Sequence, residues 1–375
     1  MHDYVQVALD RPTFVGAVPF RAEHVGTLIR PPVLVNARKR FQRGKLDAGS
    51  LRALEDHAVR RAVRFQEEVG IRGITDGGLR RADPHLDFLN ALLREGGPGE
   101  PTRWIAQRPD PDSAALCVTG RVEHVAPIRL HDFAFLRSVT QAVPKVTMPS
   151  PTSLYTPGAR DAISVTAYPC LDAFFDDVAR AYRAELRALA GAGCRYVQMD
   201  DMRLASLADA ALRESEDSGM DAPGAMLLRY VRLINAAISE RPPSMMVSLR
   251  LCCGRVDGPW LRGKGFEGMT DALFGALDVD AYLLEYAGPD DFSGLRFVPH
   301  DKRVVLGIAD AKDVTPAGRD DLKGRIERAA KFVPPERLGL SPRRGFSTSA
   351  GHSWAEQSAI LRLVVSVASE VWGRV

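Results

Sequence analysis

A chain of 375 residues, 45% hydrophobic and 26% charged, has the make-up of a globular protein with a sizeable core. Its formal charge of +3 is small, and acids and bases are interspersed, which excludes an electrostatic case for nucleic acid or an anionic membrane as partner. The start, MHDYVQVALDRPTF, carries acids and a proline where a signal peptide needs an apolar core, and no later run of about 18 apolar residues could span a bilayer. Of the five cysteines, Cys117, Cys170 and Cys194 are scattered and read as small core residues, while the adjacent Cys252 and Cys253 do not suggest a disulfide framework. The expected setting is a reducing cytoplasm.

Apolar runs rich in β-branched residues alternate with helical periodicity. The predicted strands are 14–20, 71–77, 145–150, 196–201, 245–252, 281–286, 303–310 and 338–343. Each is short and bounded by Gly, Pro or Asp, and each is apolar rather than strictly alternating, as expected of strands covered on both faces. Between them the spacing predicts helices over 46–70, 170–193, 224–239, 269–277, 319–331 and 354–372. The first should bury Leu51, Leu54, Ala58, Ala62 and Phe65 and stop at Gly70. Eight strands mostly followed by helices predict an α/β protein, a (β/α)8 TIM barrel formed by residues 1–375 as one domain. TRWIAQ and ALCVTGRVEHV, within 101–130, predict a β excursion between the second and third units. The rival is a Rossmann arrangement, but no GxGxxG follows the first strand.

In such a barrel the chemistry gathers just after each strand. The candidates for substrate binding are Arg21 and His24 after strand one, Asp76 and His85 after strand two, and Ser150 after strand three. Gln198 and Asp200 follow from strand four and Glu285 from strand six. The candidate catalytic residues are Asp201 on strand four, Arg250 and Cys252 on strand five, and Arg344 after strand eight. A single acid after a strand also serves as the N-cap of the next helix, and an arginine pair as solvated surface. It is the convergence of polar groups from eight strand ends that points to a small-molecule site.

FRAEHVGTLIRPP, ITDGGLRR with PHLDFL, KVTMPSP, GCRYVQMDD, YVRLINAAI, LEY, SPRRGF and LRLVVSVASEVWG together resemble the cobalamin-independent methionine synthase family. The likeness is to its single-barrel members, which correspond to the catalytic carboxyl-terminal half of the full-length enzyme, within a superfamily shared with uroporphyrinogen decarboxylase. It implies a (β/α)8 barrel and methyl transfer to a thiol, in the synthase from a methylfolate to homocysteine. It also implies a zinc ion held by His, Cys, Glu and Cys, which lowers the thiol pKa. Carried over residue by residue, the Glu is Glu285 and the first Cys is Cys252. The His falls on Arg250 (RLCCGR), and the last Cys on Arg344 (SPRRGF). Guanidinium stays protonated and offers a metal no lone pair. Cys252 and Glu285 are thus remnant ligands, and zinc is not expected. Gly78 stands where relatives usually show a Glu, while Asp76, Asp200, Asp201 and Glu285 persist as acids of the kind that hold a substrate's amino group in the family.

The expected function is therefore methyl or alkyl transfer on an amino acid or thiol, without the family's zinc and with a folate or other methyl donor. Two alternatives stay open: a metal-free lyase or decarboxylase whose Arg250 and Arg344 clamp an anionic substrate, and a relative that only binds its ligand.

Overall fold

Among the described residues the expected alternation forms a curled, all-parallel sheet of seven strands whose spatial order follows the chain. The strands are β1 (Gly73–Ile74), β2 (Val143–Pro149), β3 (Tyr196–Asp201), β4 (Met246–Leu251), β5 (Ala281–Glu285), β6 (Arg303–Ala309) and β7 (Leu338–Pro342). This computed structural model describes residues 20–81, 86–92, 118, 120–155, 160–204, 207, 223–251, 273–286, 291–346 and 352–373. The first predicted strand, 14–20, lies outside the described residues except for Phe20. Immediately after it, Leu340 donates its amide to the Arg21 carbonyl and accepts from the Glu23 amide, while Ala22 bridges Leu340 in parallel. The same segment then reaches the far edge of the sheet, where the Leu28 amide donates to Gly77. Residues 20–28 thus run between β7 and β1.

Strand β1 is shorter than the predicted 71–77 because a side chain takes over its ladder. The Gln66 amide accepts from the Thr75 N–H at 3.0 Å and donates to the Thr75 carbonyl at 2.9 Å. Both main-chain groups are satisfied without a strand partner. The helices are α1 (Pro32–Gln42), α2 (Ala48–Val69), α3 (Leu86–Leu92), α4 (Leu130–Val139), α5 (Leu171–Gly191), α6 (Pro223–Ile238), α7 (Pro316–Ala329) and α8 (Trp354–Trp372). Helix α2 stops as predicted at Gly70, whose φ of 100° suits glycine. Its buried face is rotated from the predicted one, centring on Ala58, Val59, Ala62, Val63 and Gln66. Most of the predicted β excursion lies outside the described residues, and within them it contributes one parallel bridge, Val118 to Ile163. Cys194 is buried as expected. Cys170, expected in the core, is exposed at the start of α5, and Cys117 lies outside the described residues.

Strand alternation sorts the side chains into two sets. Val197, Met199, Val247, Leu249, Tyr282, Leu284, Val304 and Leu306 pack into the large core shared with the helices. Their neighbours turn to the inside of the curl, where two small apolar clusters form: Phe20 with Val143 and Tyr196, and Val25 with Leu283 and Val305. Between these lies a buried ion pair, Lys145 Nζ to Glu23 Oε2 at 2.7 Å, with both side chains fully inaccessible. Lys145 also donates to the His24 carbonyl, and Glu23 accepts from the Tyr196 hydroxyl and the Phe20 amide. Removing one member strands the other charge. Lys145→Met should therefore lower unfolding stability by about 3–5 kcal/mol in urea denaturation. A loss below about 1 kcal/mol would show that Glu23 escapes to water or takes up a proton at little cost.

Candidate functional site

At the carboxyl ends of β3, β4 and β5 the inward positions are Gln198, Asp200, Arg250 and Glu285. The register sets Asp200 beside Arg250, since they are paired Cα partners on neighbouring strands. Gln198 donates to Asp200 Oδ1 at 2.7 Å. Arg250 lies 3.9 Å from Asp200 Oδ1 and 3.6 Å from Glu285 Oε2. Arg344 approaches Glu285 from the other side, at 3.0 Å from Oε1. One buried carboxylate is thus held between two guanidiniums, one from β4 and one from the loop after β7. The Arg344 side chain is 43% exposed, against 5% for Glu285, so its end of the pair faces the opening. Arg343 goes elsewhere, to Asp310 at 3.3 Å.

The loop carrying Arg344 is pinned to the one carrying His24 by a backbone contact only glycine permits. A Cβ on Gly26, whose φ is +71°, would sit 2.7 Å from the Gly345 Cα, and the Phe346 amide donates to Thr27 at 2.7 Å. His24 is fully buried, and neither ring nitrogen has a hydrogen-bond partner among the described residues. Burial, followed by the charges of Lys145 and Arg250, pushes its pKa down to about 3, against a pull upward from Asp76. Burial alone would raise Asp76, but the Arg81 guanidinium and the Gly78 amide outweigh it and hold this carboxyl below the usual range. Gly78 has a φ of +66°, and a Cβ there would meet Thr27 at 2.5 Å and Arg81 at 3.0 Å. Arg81 in turn donates to Thr147 Oγ1 at 2.6 Å.

The structure therefore gathers Arg250, Arg344, Asp200, Gln198 and Glu285 at the mouth, with His24 and Asp76 beside them. It turns two predicted site residues away. Arg21 donates to the carbonyls of Pro335 and Leu338, at the amino-terminal end of β7, because its segment is still beside that strand. Asp201 is next to the inward Asp200 and so faces outward, accepting from the Thr152 hydroxyl and the amides of Arg203 and Leu204. Ser150 is buried beside β3, its amide donating to the Asp200 carbonyl and its hydroxyl oxygen 3.3 Å from the Thr152 hydroxyl oxygen. His85 and Cys252 lie outside the described residues. The sequence reading passed over Glu23 and Lys145, although a lysine inside the run KVTMP signals a buried partner. Arg81 and Arg129 are likewise not among the sequence candidates.

Zinc needs lone pairs, and the described residues do not offer a set of them here. No group of three or more His, Cys, Asp or Glu able to hold a metal occurs among them, and both oxygens of Glu285 face guanidiniums. The described donors alone do not make up a zinc site, and Cys252 lies outside the described residues.

A parallel barrel-like sheet with acids and guanidiniums at its strand ends is an enzyme-type scaffold. Residues 31–370 match the family model of the cobalamin-independent synthase catalytic domain, and the chain belongs to that family. It is 33% identical to the uncharacterized protein YxjH of Bacillus subtilis, covering 94% of this chain and 95% of that one. To the 5-methyltetrahydropteroyltriglutamate–homocysteine methyltransferase of Streptococcus agalactiae it is 21% identical, and it spans 43% of that protein's length. A solved structure of a candidate vitamin-B12-independent methionine synthase from Listeria monocytogenes superimposes with a TM-score of 0.71 at 31% identity, over 96% of this chain and all of that one. A B12-independent methionine synthase from Shewanella, solved with selenomethionine, shares the fold with a TM-score of 0.66 at 19% identity, over 94% of this chain and 97% of that one.

The His24 shift has a measurable sign. Its folded pKa lies below the unfolded value of 6.5, so as pH falls the unfolded chain takes a proton that the buried ring refuses until about pH 3. Stability is lost on acidification through that window, by up to about 1.4 kcal/mol per pH unit from this group. Between pH 7 and pH 5, wild type should lose more stability than His24→Gln. Equal losses in denaturation curves would show that the ring is accessible to protons in the folded state.

Proposed function

We propose that this protein is a methionine synthase-like methyl or alkyl transferase that acts at the carboxyl-terminal mouth of its sheet, on an amino acid or thiol, without zinc. The observation that supports this most directly is Glu285 held between Arg250 and Arg344. In the family resemblance those two positions belong to metal ligands. Two fixed cations can do part of a metal's work, because a neighbouring positive charge favours the thiolate and lowers the thiol pKa. The thiol releases its proton to solvent, its sulfur forms the new S–C bond, and the donor leaves with the electron pair of the broken bond. Arg250 holds its charge within the sheet while Arg344 closes over the sulfur from the opening. Asp200, oriented by Gln198, and Asp76 supply carboxylates for a substrate amino group. Cys252, next after the last described residue of β4, is the remaining nucleophile to test. On this reading residues 14–20 complete an eight-stranded barrel, 101–130 form an insertion in a single domain, and the protein works in the cytoplasm.

A second reading rests on the exposure of Arg344. A guanidinium that can leave Glu285 can clamp a carboxylate or other anionic group in two parallel bonds, and the reaction would then be a cofactor-free loss of carbon dioxide. Release of carbon dioxide from carboxylated amino-acid analogues, with no methyl transfer to any thiol, would favour it.

The transferase reading is tested by metal analysis together with kinetics. Purified protein should carry far less than one zinc per chain, and methyl transfer to a thiol should survive chelation. Arg344→Ala should reduce kcat/KM roughly 10- to 100-fold, as expected for losing one charge-assisted contact. One zinc per chain, released by Glu285→Gln, would overturn it.

A further inference from the structure

Beside the mouth, where β1 ends early, the wall of the sheet is open above the pair Ile74–Pro144. A small, partly open cavity of about 20 Å³ lies there, lined by Asp76, Arg81, Arg129, Asp132 and Thr147, with Phe133 among its apolar walls. Arg129 is the unusual member. It is only 9% exposed, and its Nε and Nη2 have no hydrogen-bond partner among the described residues. Its remaining contacts are weak: Nη1 lies 3.7 Å from Asp132 Oδ2, and the guanidinium stands 5.6 Å from the Phe88 ring. Burial destabilises this charge, and the next largest influence is repulsion from Arg81. The carboxylates in the cavity are already engaged. Asp132 Oδ1 takes Arg52 at 3.0 Å and Arg80 at 3.4 Å, and Asp76 Oδ1 accepts the Gly78 amide. Thr147 Oγ1 accepts from Arg81, which leaves the hydroxyl hydrogen to donate.

The two buried guanidiniums repel each other, and Arg129 Nε and Nη2 meet no acceptor among the described residues; an anion between the two would relieve both. We infer that this cavity is a subsite for a small oxyanion group, a carboxylate or a phosphate, held by Arg129 with help from Arg81 and the Thr147 hydroxyl. Its binding chemistry stands alone; only its use in catalysis rests on the transferase reading. His24 is near enough to both Arg250 and Arg81 for each charge to lower its pKa. A substrate with an anionic end could then be gripped in the cavity and react at the mouth.

Inorganic phosphate, titrated into the full-length protein, should raise the unfolding temperature of wild type, and the rise should vanish in Arg129→Gln. Arg129 caps Glu185 through its main-chain amide, so that contact survives the substitution. L-homocysteine and 3-aminopropane-1-thiol, which lacks the carboxylate, distinguish the two sources of the anion. A tenfold or greater loss of homocysteine affinity in Arg129→Gln, with the amine thiol unaffected, assigns the cavity to the substrate carboxylate. A lost phosphate effect with unchanged homocysteine binding assigns it to a free oxyanion. If neither phosphate nor homocysteine binding depends on Arg129 in a folded variant, the inference fails, whatever the zinc content or transfer activity. Should Arg129→Gln not fold by circular dichroism, Thr147→Val is read the same way, with a severalfold weakening expected.

Discussion

An ionised side chain on the inner face of a curled parallel sheet is removed from bulk water, so it has to meet its opposite charge there. That requirement organises this molecule from floor to mouth. Low in the curl, Lys145 and Glu23 are fully inaccessible and are completed by Tyr196 and main-chain groups. Higher up, Asp200, Arg250, Glu285 and Arg344 form a second alternating array, whose last member is partly exposed. Burial decides what each array can do. A closed pair with every partner in place holds the segment 20–24 against β2 and β3, whereas an array with one solvated guanidinium can exchange a partner for a ligand.

A site lined by guanidiniums has a different chemistry from one built on a metal. A zinc ion binds a thiolate directly, through a coordinate bond, and can polarise it strongly. A guanidinium offers a fixed charge and planar donors, with no lone-pair acceptance and no change of protonation. It stabilises an anion by position, so the loops that carry it must be held accurately. Here the glycine contact between Gly26 and Gly345 does so by bringing two main chains closer than any side chain would allow.

Strands β2 to β7 were legible in the sequence to within about three residues, because short apolar runs between turn residues mark buried parallel strands well. Strand β1 was overestimated, since nothing local announces that Gln66, on the preceding helix, will take the main-chain bonds of Thr75. Site residues divide along similar lines. Arg250, Glu285 and Arg344 converge as their strand-end positions implied. Asp201 was the catalytic candidate by sequence and Asp200 a substrate-binding one, but strand alternation sends them to opposite faces, with Asp200 inward. Arg21 follows a predicted strand in sequence yet points to the floor, because the chain is still paired with the start of β7.

The sequence by itself determined the layer order, the family, and the presence of arginine at 250 and 344, since each depends on residue type and spacing along the chain. Only the tertiary structure decided that the two arginines share one carboxylate, that the buried His24 ring has no hydrogen-bond partner among the described residues, and that Arg129 and Arg81 line one cavity. Those relations join residues dozens to hundreds of positions apart. They are set by strand register and by the curl of the sheet, neither of which a local pattern encodes.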